Sequence, residues 1–339
     1  MTDAPAFFEL SSAEATALLF ERQKYLVLFH VHPDGDAVGS AFALANMIKA
    51  TGREAYCVCA DEVPERLHFA SKDLQESVLS ASIPEGFVPD AIVSVDTASP
   101  SQLGELYEVY KDKIDLMIDH HGKGTYYANY FISPTSSACG EVLYDLLEGV
   151  AARFEIELPL RVRELIYTAI SADTGCFRYN NATPRAHKIA ADMLECGVDT
   201  SDINHKLFGI KTLKQMQVEH AGFERMNFYA DGRIAVITFP YSLKEQYGAT
   251  DENLETLIDV ARSVKGVEVA AVIKQFSPEN KFRVSMRSSS DFDVSEICAH
   301  YGGGGHARAA GCTMSCDSIL TAEMAIISVV ELKFAENEI

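Results

Sequence analysis

Three short apolar runs, each leading into aspartate or histidine, limit what this chain can fold into. Tyr25 to Val31 is rich in β-branched and aromatic residues, and it passes directly into His30-Val31-His32-Pro33-Asp34-Gly35-Asp36. So short a run without polar alternation reads as a strand buried on both faces, which occurs in parallel sheets covered by helices. Ala91 to Val95 repeats the signal and ends on Asp96, and Ile114 to Ile118 repeats it more weakly before Asp119-His120-His121. Ala37 to Ala50 reads as a helix that starts just after the acidic loop, with Gly52 as its stop. The expected unit is a doubly wound, mostly parallel α/β sheet. In such sheets ligands collect beyond the carboxyl ends of the strands, which is where this sequence puts its acids and histidines.

Beyond that unit the pattern changes. Arg163 to Ala172 reads as a helix ending on Asp173, and Pro184 to Cys196 as another closed by Gly197. A polar helical stretch follows from Ser201 to about Arg225. Gly232 to Phe239 and Val267 to Phe276 are strand candidates, and Lys281 to Ser289 pairs with the latter through Ser277-Pro278-Glu279-Asn280. Residues 293–301 read as a short helix and Ser318 to Glu336 as the closing one. The division expected is residues 1–190 as the catalytic domain, 191–225 as a helical linker, and 226–339 as a smaller α+β domain.

A chain of 339 residues with 47% hydrophobic content can bury a large core. Its formal net charge of -20 excludes a protein that coats long nucleic acid, because neutralising phosphates needs clustered Lys and Arg. A narrow pocket for a short phosphorylated substrate stays open. The eight cysteines form no repeated zinc pair and read as reduced thiols of a cytoplasmic protein. No run reaches membrane-span length, so no membrane partner is expected.

Hard divalent cations take carboxylate oxygen, and imidazole shifts the preference toward metals such as Mn²⁺ without requiring thiolates. The mixture of His and Asp therefore favours Mn²⁺, with Mg²⁺ second. Asp34 and Asp36, flanking a Gly35 that lets the loop bend tightly, can point into one site, and carboxylates so crowded repel one another unless cations lie between them. Taken singly, each residue has a plainer reading: an Asx-rich turn for Asp34 and Asp36, a helix N-cap for Asp96, a satisfied core histidine for His30. The adjacent pair His120-His121 has no obvious structural use. The joint pattern suggests a dinuclear site for phosphoester hydrolysis.

Together these residues resemble the DHH phosphoesterase family. The motifs read HVHPDGDAVGS at 30–40, VDTA at 95–98, DHH at 119–121 and SADTG at 171–175, and GGGGHARAAG at 302–311 resembles the signature of the DHH-associated C-terminal domain. The resemblance implies that His30, Asp34 and Asp96 hold one metal while Asp36, Asp96, His120 and Asp173 hold the other, with Asp96 bridging two Mn²⁺ (or Mg²⁺). It leaves His121 to face the substrate, either bonding the scissile phosphate or protonating the leaving oxygen. Asp119 is assigned to orienting a neighbouring histidine, against the plainer reading of a strand-end acid in water. Among standalone members the chain is most similar to nanoRNases, which degrade very short oligoribonucleotides and also remove the 3′-phosphate of pAp.

In the second half, alternation along Lys281 to Ser289 puts Phe282, Val284 and Met286 on one face and Arg283, Ser285 and Arg287 on the other. Two arginines on one face can grip a phosphate or stack on a base, and the same pattern also suits a solvent face. Gly303, Gly304 and Gly305 before His306 let backbone amides approach a phosphate closely. Arg178 is a further phosphate candidate, and a plain surface arginine is the other reading. The sequence thus predicts a two-domain, metal-dependent phosphoesterase whose site lies in the cleft between domains. It would hydrolyse RNA of about two to five nucleotides to mononucleotides, with pAp as a second substrate and a homodimer allowed. The alternatives are a phosphodiesterase dedicated to linear or cyclic dinucleotides, and a non-catalytic nucleotide-binding regulator.

Overall fold

A computed structural model describes residues 7–71 and 83–337, apart from the side chains of His306 and Asn337. The chain divides into two compact units, Met1–Ile210 and Lys211–Ile339. In the first, the order is α1 (Ser12–Glu21), β1 (Lys24–Leu28), α2 (Gly35–Ala50), β2 (Glu54–Val58), α3 (His68–Ser71), β3 (Ala91–Val95), α4 (Glu105–Tyr110), β4 (Leu116–Asp119), β5 (Asn129–Ile132), α5 (Cys139–Phe154), α6 (Leu160–Asp173), α7 (Pro184–Glu195) and α8 (Thr200–Asn204).

Its five strands lie in the order β2-β1-β3-β4-β5, all parallel. Strand β1 is wholly buried beyond Lys24 and β3 throughout, as their unbroken apolar runs require. In this order successive crossovers leave β1 in opposite directions, so a crevice opens at the carboxyl ends of β1 and β3. The His30–Asp36 loop and Asp96 lie there.

Helix α2 is buried from Gly35 through Ala45. It packs so closely on α6 that a Cβ on Gly35 would lie 2.4 Å from the Ala172 Cβ. This corrects the role expected for Gly35: it is the first residue of α2 rather than a loop bend, and it is needed because two helices meet there. Asp34, immediately before it, caps α2, its Oδ1 accepting from the Asp36 and Ala37 amides at 3.0 Å each.

The second unit contains α9 (Leu213–Glu224), β6 (Met226–Tyr229), β7 (Ile234–Phe239), α10 (Tyr241–Tyr247), α11 (Leu257–Arg262), β8 (Val269–Gln275), β9 (Lys281–Ser288), α12 (Val294–His300), β10 (Gly304–His306), β11 (Ala309–Ser315) and α13 (Ile319–Asn337). The sheet order is β10-β11-β9-β8-β7-β6, with β7 and β8 parallel and every other pair antiparallel. One face, including Phe282, Val284 and Met286, is packed beneath Ile297 of α12 and Ile326 and Val330 of α13. On the other, Ala270 and Val272 lie under Val218 of α9 and Leu257 of α11.

Residues 191–225 are helical in large part, but they form no separate linker. Ile203 and Leu207 join the first unit's core, and Val218 and Ala221 join the second's. Hydrophobic residues on both stretches had a core within reach, which draws the boundary to between Ile210 and Lys211.

Candidate metal centre

Four segments deliver the acidic and imidazole groups. His30, Asp34 and Asp36 come from the end of β1 and the start of α2, Asp96 follows β3, Asp119 to His121 end β4, and Asp173 ends α6. Three sets of donor atoms each lie within 4.8 Å of one another: His30, Asp34 and Asp96; Asp36, His120 and Asp173; and Asp96, Asp119, His120 and His121. Asp96 belongs to two of them. It is buried, has φ +54°, and its Oδ1 has no hydrogen-bond partner. A non-glycine residue held in the left-handed region carries strain that the surrounding structure must sustain. No helix starts on Asp96, so the capping alternative does not apply; Ser99 caps the following turn instead.

The histidine orientations follow from their second nitrogens. His30 Nδ1 lies 2.8 Å from the Val31 carbonyl oxygen and His120 Nδ1 3.3 Å from that of Ser136. A carbonyl only accepts, so each Nδ1 carries a proton, and Nε2, which faces the carboxylates, is the nitrogen left to bind a metal. His30 Nε2 is 3.5 Å from Asp96 Oδ2 and 3.7 Å from Asp34 Oδ1, while His120 Nε2 is 3.7 Å from both Asp36 Oδ2 and Asp96 Oδ1 and 3.9 Å from Asp173 Oδ2. Two ligands about 2.1 Å from a shared ion sit about 3.0–3.6 Å apart, depending on their angle. The observed separations are at or just above that range, and they exceed those of strong hydrogen bonds.

Electrostatics point the same way. Burial and then the Asp96 charge raise the Asp36 carboxyl well above the usual carboxylate range. Burial, followed by the charges of Asp34 and Asp96, pushes Asp173 up to about 8. Burial disfavours a charged His30, but Asp34 and Asp96 outweigh it and hold the imidazole well above its ordinary value. Without a cation the cluster therefore retains protons at neutral pH, and a divalent ion supplies the positive charge those protons stand in for. The donor set fits a metal.

Two neighbours of the cluster escape notice in the sequence. Asp36 accepts from the Cys139 amide at 2.7 Å, the Gly140 amide at 3.0 Å and the Ser40 hydroxyl at 2.9 Å, so the N-terminus of α5 clamps its carboxylate. Asn181 donates to Asp173 Oδ2 at 3.1 Å. Gly140 lies far from the motifs in sequence, and Asn181, eight residues past Asp173, is marked by no local pattern.

Adjacent residues His120 and His121 face different partners. Asp119 Oδ1 accepts from His121 Nδ1 at 2.7 Å and from the His120 amide at 2.8 Å. Burial lowers His121, but the Asp119 carboxylate overrides it and pushes the imidazole up to about 9. Arg178 is exposed, donates to the Gly175 carbonyl at 2.6 Å and lies over the Phe208 ring.

In the second unit, the sheet face left open beyond α9 and α11 carries Arg283 and Arg287, with Lys274 directly opposite Arg283 on β8. Lys274 went unnoticed in the sequence, although its alternation with Ala270 and Val272 puts it on this face. A pocket here is lined by Arg283, Ser285, Tyr301, Gly302, Gly303 and Thr313, among others. Arg287 does not line it, and its Nη1 donates to the Met286 carbonyl at 3.0 Å. Gly305 has φ +138° and its missing Cβ would fall 2.5 Å from the Ala309 carbonyl oxygen, so β10 can approach β11 only with glycine there. Gly304 pairs with Gly311 and His306 with Ala309; the His306 side chain lies outside the described residues.

Comparisons with known proteins agree with this layout. Residues 24–170 match the DHH family N-terminal domain and residues 231–332 match the DHHA1 domain. The chain is 29% identical over 313 residues to the bifunctional oligoribonuclease and PAP phosphatase NrnA of Thermus thermophilus, covering 91% of this chain and 90% of that protein. It is 26% identical to the protein of the same name from Bacillus subtilis, covering 84% and 87% respectively. An exopolyphosphatase-related protein from Bacteroides fragilis superposes with a TM-score of 0.84 at 21% identity, over 95% of this chain and 96% of that one, a likeness of fold. The chain carries a DHH family N-terminal domain followed by a DHHA1 domain.

Proposed function

We propose that the protein is a metal-dependent phosphoesterase that hydrolyses very short oligoribonucleotides to mononucleotides and removes the 3′-phosphate of pAp. The convergence of three His/Asp donor sets on one crevice, with Asp96 common to two, carries this reading. The relatives named oligoribonuclease and PAP phosphatase, aligned over most of both chains, support the substrate class.

His30, Asp34 and Asp96 would hold one ion, and Asp36, Asp96, His120 and Asp173 the other; the imidazole and carboxylate mixture favours Mn²⁺ over Mg²⁺. Bound ions of this kind activate water and offset charge on the phosphoryl oxygens. The chain's own residues do the rest. Asp119 fixes the His121 ring and keeps it protonated, so His121 can donate to a phosphate oxygen or to the leaving oxygen. Arg283, with Lys274 beside it, supplies fixed positive charge for substrate phosphates, and Arg287 shares the same sheet face, with Gly303 and the Gly304–His306 strand at its edge.

The test is to incubate protein and Mn²⁺ with pAp, pGpG, cyclic di-AMP and RNA from about two to twenty-four nucleotides, and to rank initial rates. Di- to pentanucleotides should lead. Preference for a cyclic dinucleotide, or equal rates at every RNA length, would displace this reading.

A further inference from the structure

Next to the candidate metal cluster, within the first unit, is a pocket whose far wall lies outside the family motifs. Asp34 and Asp173 form the side it shares with the cluster, and Arg66, Leu207 and Phe208 form a wall that carries no metal donor. Arg66 sits on the short 3₁₀ turn Glu65–Leu67. Phe208 sits on a single π turn, His205–Gly209, that follows α8 directly. π turns are rare, and those that occur lie frequently at functional sites. Here the turn separates two neighbours: Leu207 is buried in the core, whereas Phe208 keeps 39% of its surface exposed.

The wall is chemically unlike the rest of this acidic protein. Arg178 lies over the Phe208 ring, 5.8 Å from its centroid, so the aromatic ring is already held by a cation. A metal-binding edge, a guanidinium and a half-exposed ring match a ligand that carries both phosphate and a flat heterocycle. Free phosphate would have no use for the ring. An apolar peptide would have none for the carboxylates and the arginine.

We propose that Phe208 and Arg66 form a nucleoside subsite, in which the base next to the scissile phosphodiester stacks on Phe208 while Arg66 donates to oxygens of that nucleotide's sugar-phosphate backbone. This rests on the phosphoesterase reading above and adds to it a base-recognition element inside the DHH domain. A base on the ring face opposite Arg178 completes a guanidinium–ring–base stack. Any base has such a face, so the subsite tolerates every sequence.

The chain has no tryptophan, so Phe208→Trp in the full-length protein creates a single indole reporter. With Mg²⁺ present, AMP should quench it saturably, while ribose 5-phosphate should compete with AMP without quenching. Adding Arg66→Ala should weaken AMP binding about tenfold and leave the depth of quenching at saturation unchanged. In a second measurement Phe208→Ala should lower kcat/KM for a dinucleotide about tenfold or more, and should abolish the rate penalty seen when one base of that dinucleotide is removed. Indole emission unmoved by millimolar AMP would overturn the subsite, as would an abasic penalty equal in Phe208→Ala and parent. Quenching by AMP in a protein that hydrolyses no short RNA would keep the subsite and reject the proposed reaction; hydrolysis without quenching would do the reverse.

Discussion

Removing the metal should make the first unit's stability depend on pH in one direction. Between about pH 4 and 8 an unfolded chain has released the Asp173 proton, whereas the folded, metal-free chain holds it up to about 8. Asp36 is raised as well, and His30 and His121 keep protons above the ordinary imidazole range. For these groups the folded state binds more protons than the unfolded one, so stability falls as pH rises through this window. The limit is about 1.4 kcal/mol per pH unit for each group. For Asp173, whose side chain is 30% exposed, about half that is reasonable once water screening is allowed for. Asp119 is shifted downward by His121 and opposes the trend only near and below pH 4. Metal binding should reverse the slope, because the ligands must be deprotonated to bind. A metal at a thousand times its Kd adds about 4 kcal/mol, or about 8–16 °C of Tm for a domain of this size. The assay is thermal unfolding of chelated protein from pH 5 to 9, with and without Mn²⁺. Chelated Tm that rises from pH 5 to 8, or a Mn²⁺ increment that shrinks over the same range, would refute the reasoning.

Asp96→Ala should remove more than nine-tenths of turnover and lower metal occupancy by elemental analysis, with the far-UV spectrum retained; a larger residual activity would end the bridging assignment. Gly35→Ala should cost about 1–3 kcal/mol by overpacking, and Ala172→Gly should restore much of it in denaturant unfolding, since the clash is with the Ala172 Cβ. Asp119→Asn keeps an acceptor for His121 but removes the charge that raises it. The alkaline limb of the pH–rate profile should therefore move to lower pH while metal content stays the same. Arg283→Ala should raise KM for a dinucleotide more than it lowers kcat, if it binds ground and transition states alike.

What could be read from the sequence followed burial. β3 spans Ala91–Val95 as expected, because a strand buried on both faces is apolar throughout. β2 and β5 went unread: β2 opens on exposed Glu54 and leaves Tyr56 only partly buried, and every residue of the edge strand β5 is only partly buried. The residues that gather in the candidate metal cluster could be picked out because each stands at or near the end of an element that was itself legible. The α5 amides on Asp36 and the Arg66–Phe208 wall were not legible, since contacts across tens of residues leave no local spacing, and Asn181, only eight residues past Asp173, stands in no pattern that marks it. Gly35 was marked as special for the wrong cause: a glycine in a loop-like motif looks the same in sequence as one that admits a neighbouring helix.

Under the proposed function, a net charge of -20 and an anionic substrate are compatible if the substrate meets a short, locally positive track. Arg283 and Arg287 lie four residues apart on β9, about 13 Å along the strand, and Lys274 widens the Arg283 end across to β8. At that end carboxylates gather beside the cations. Asp251 Oδ2 is 3.9 Å from Arg283 Nη1, and Glu255 and Asp251 both act on Lys274. Past Arg283 the face also carries Lys281, but its Nζ lies 2.9 Å from Glu279 Oε2, and Lys244 is paired with Asp251. A strand of RNA extended past Arg283 would therefore bring its next phosphate toward carboxylates whose neighbouring cations are already engaged. Repulsion of this kind is weak for one exposed charge pair but accumulates with each added phosphate, and added salt relieves it. The preference for short RNA should therefore soften as ionic strength rises, and Asp251→Asn should raise the relative rate on longer strands more than the rate on a dinucleotide. A length preference indifferent to both changes would place the limit on length elsewhere than in this track.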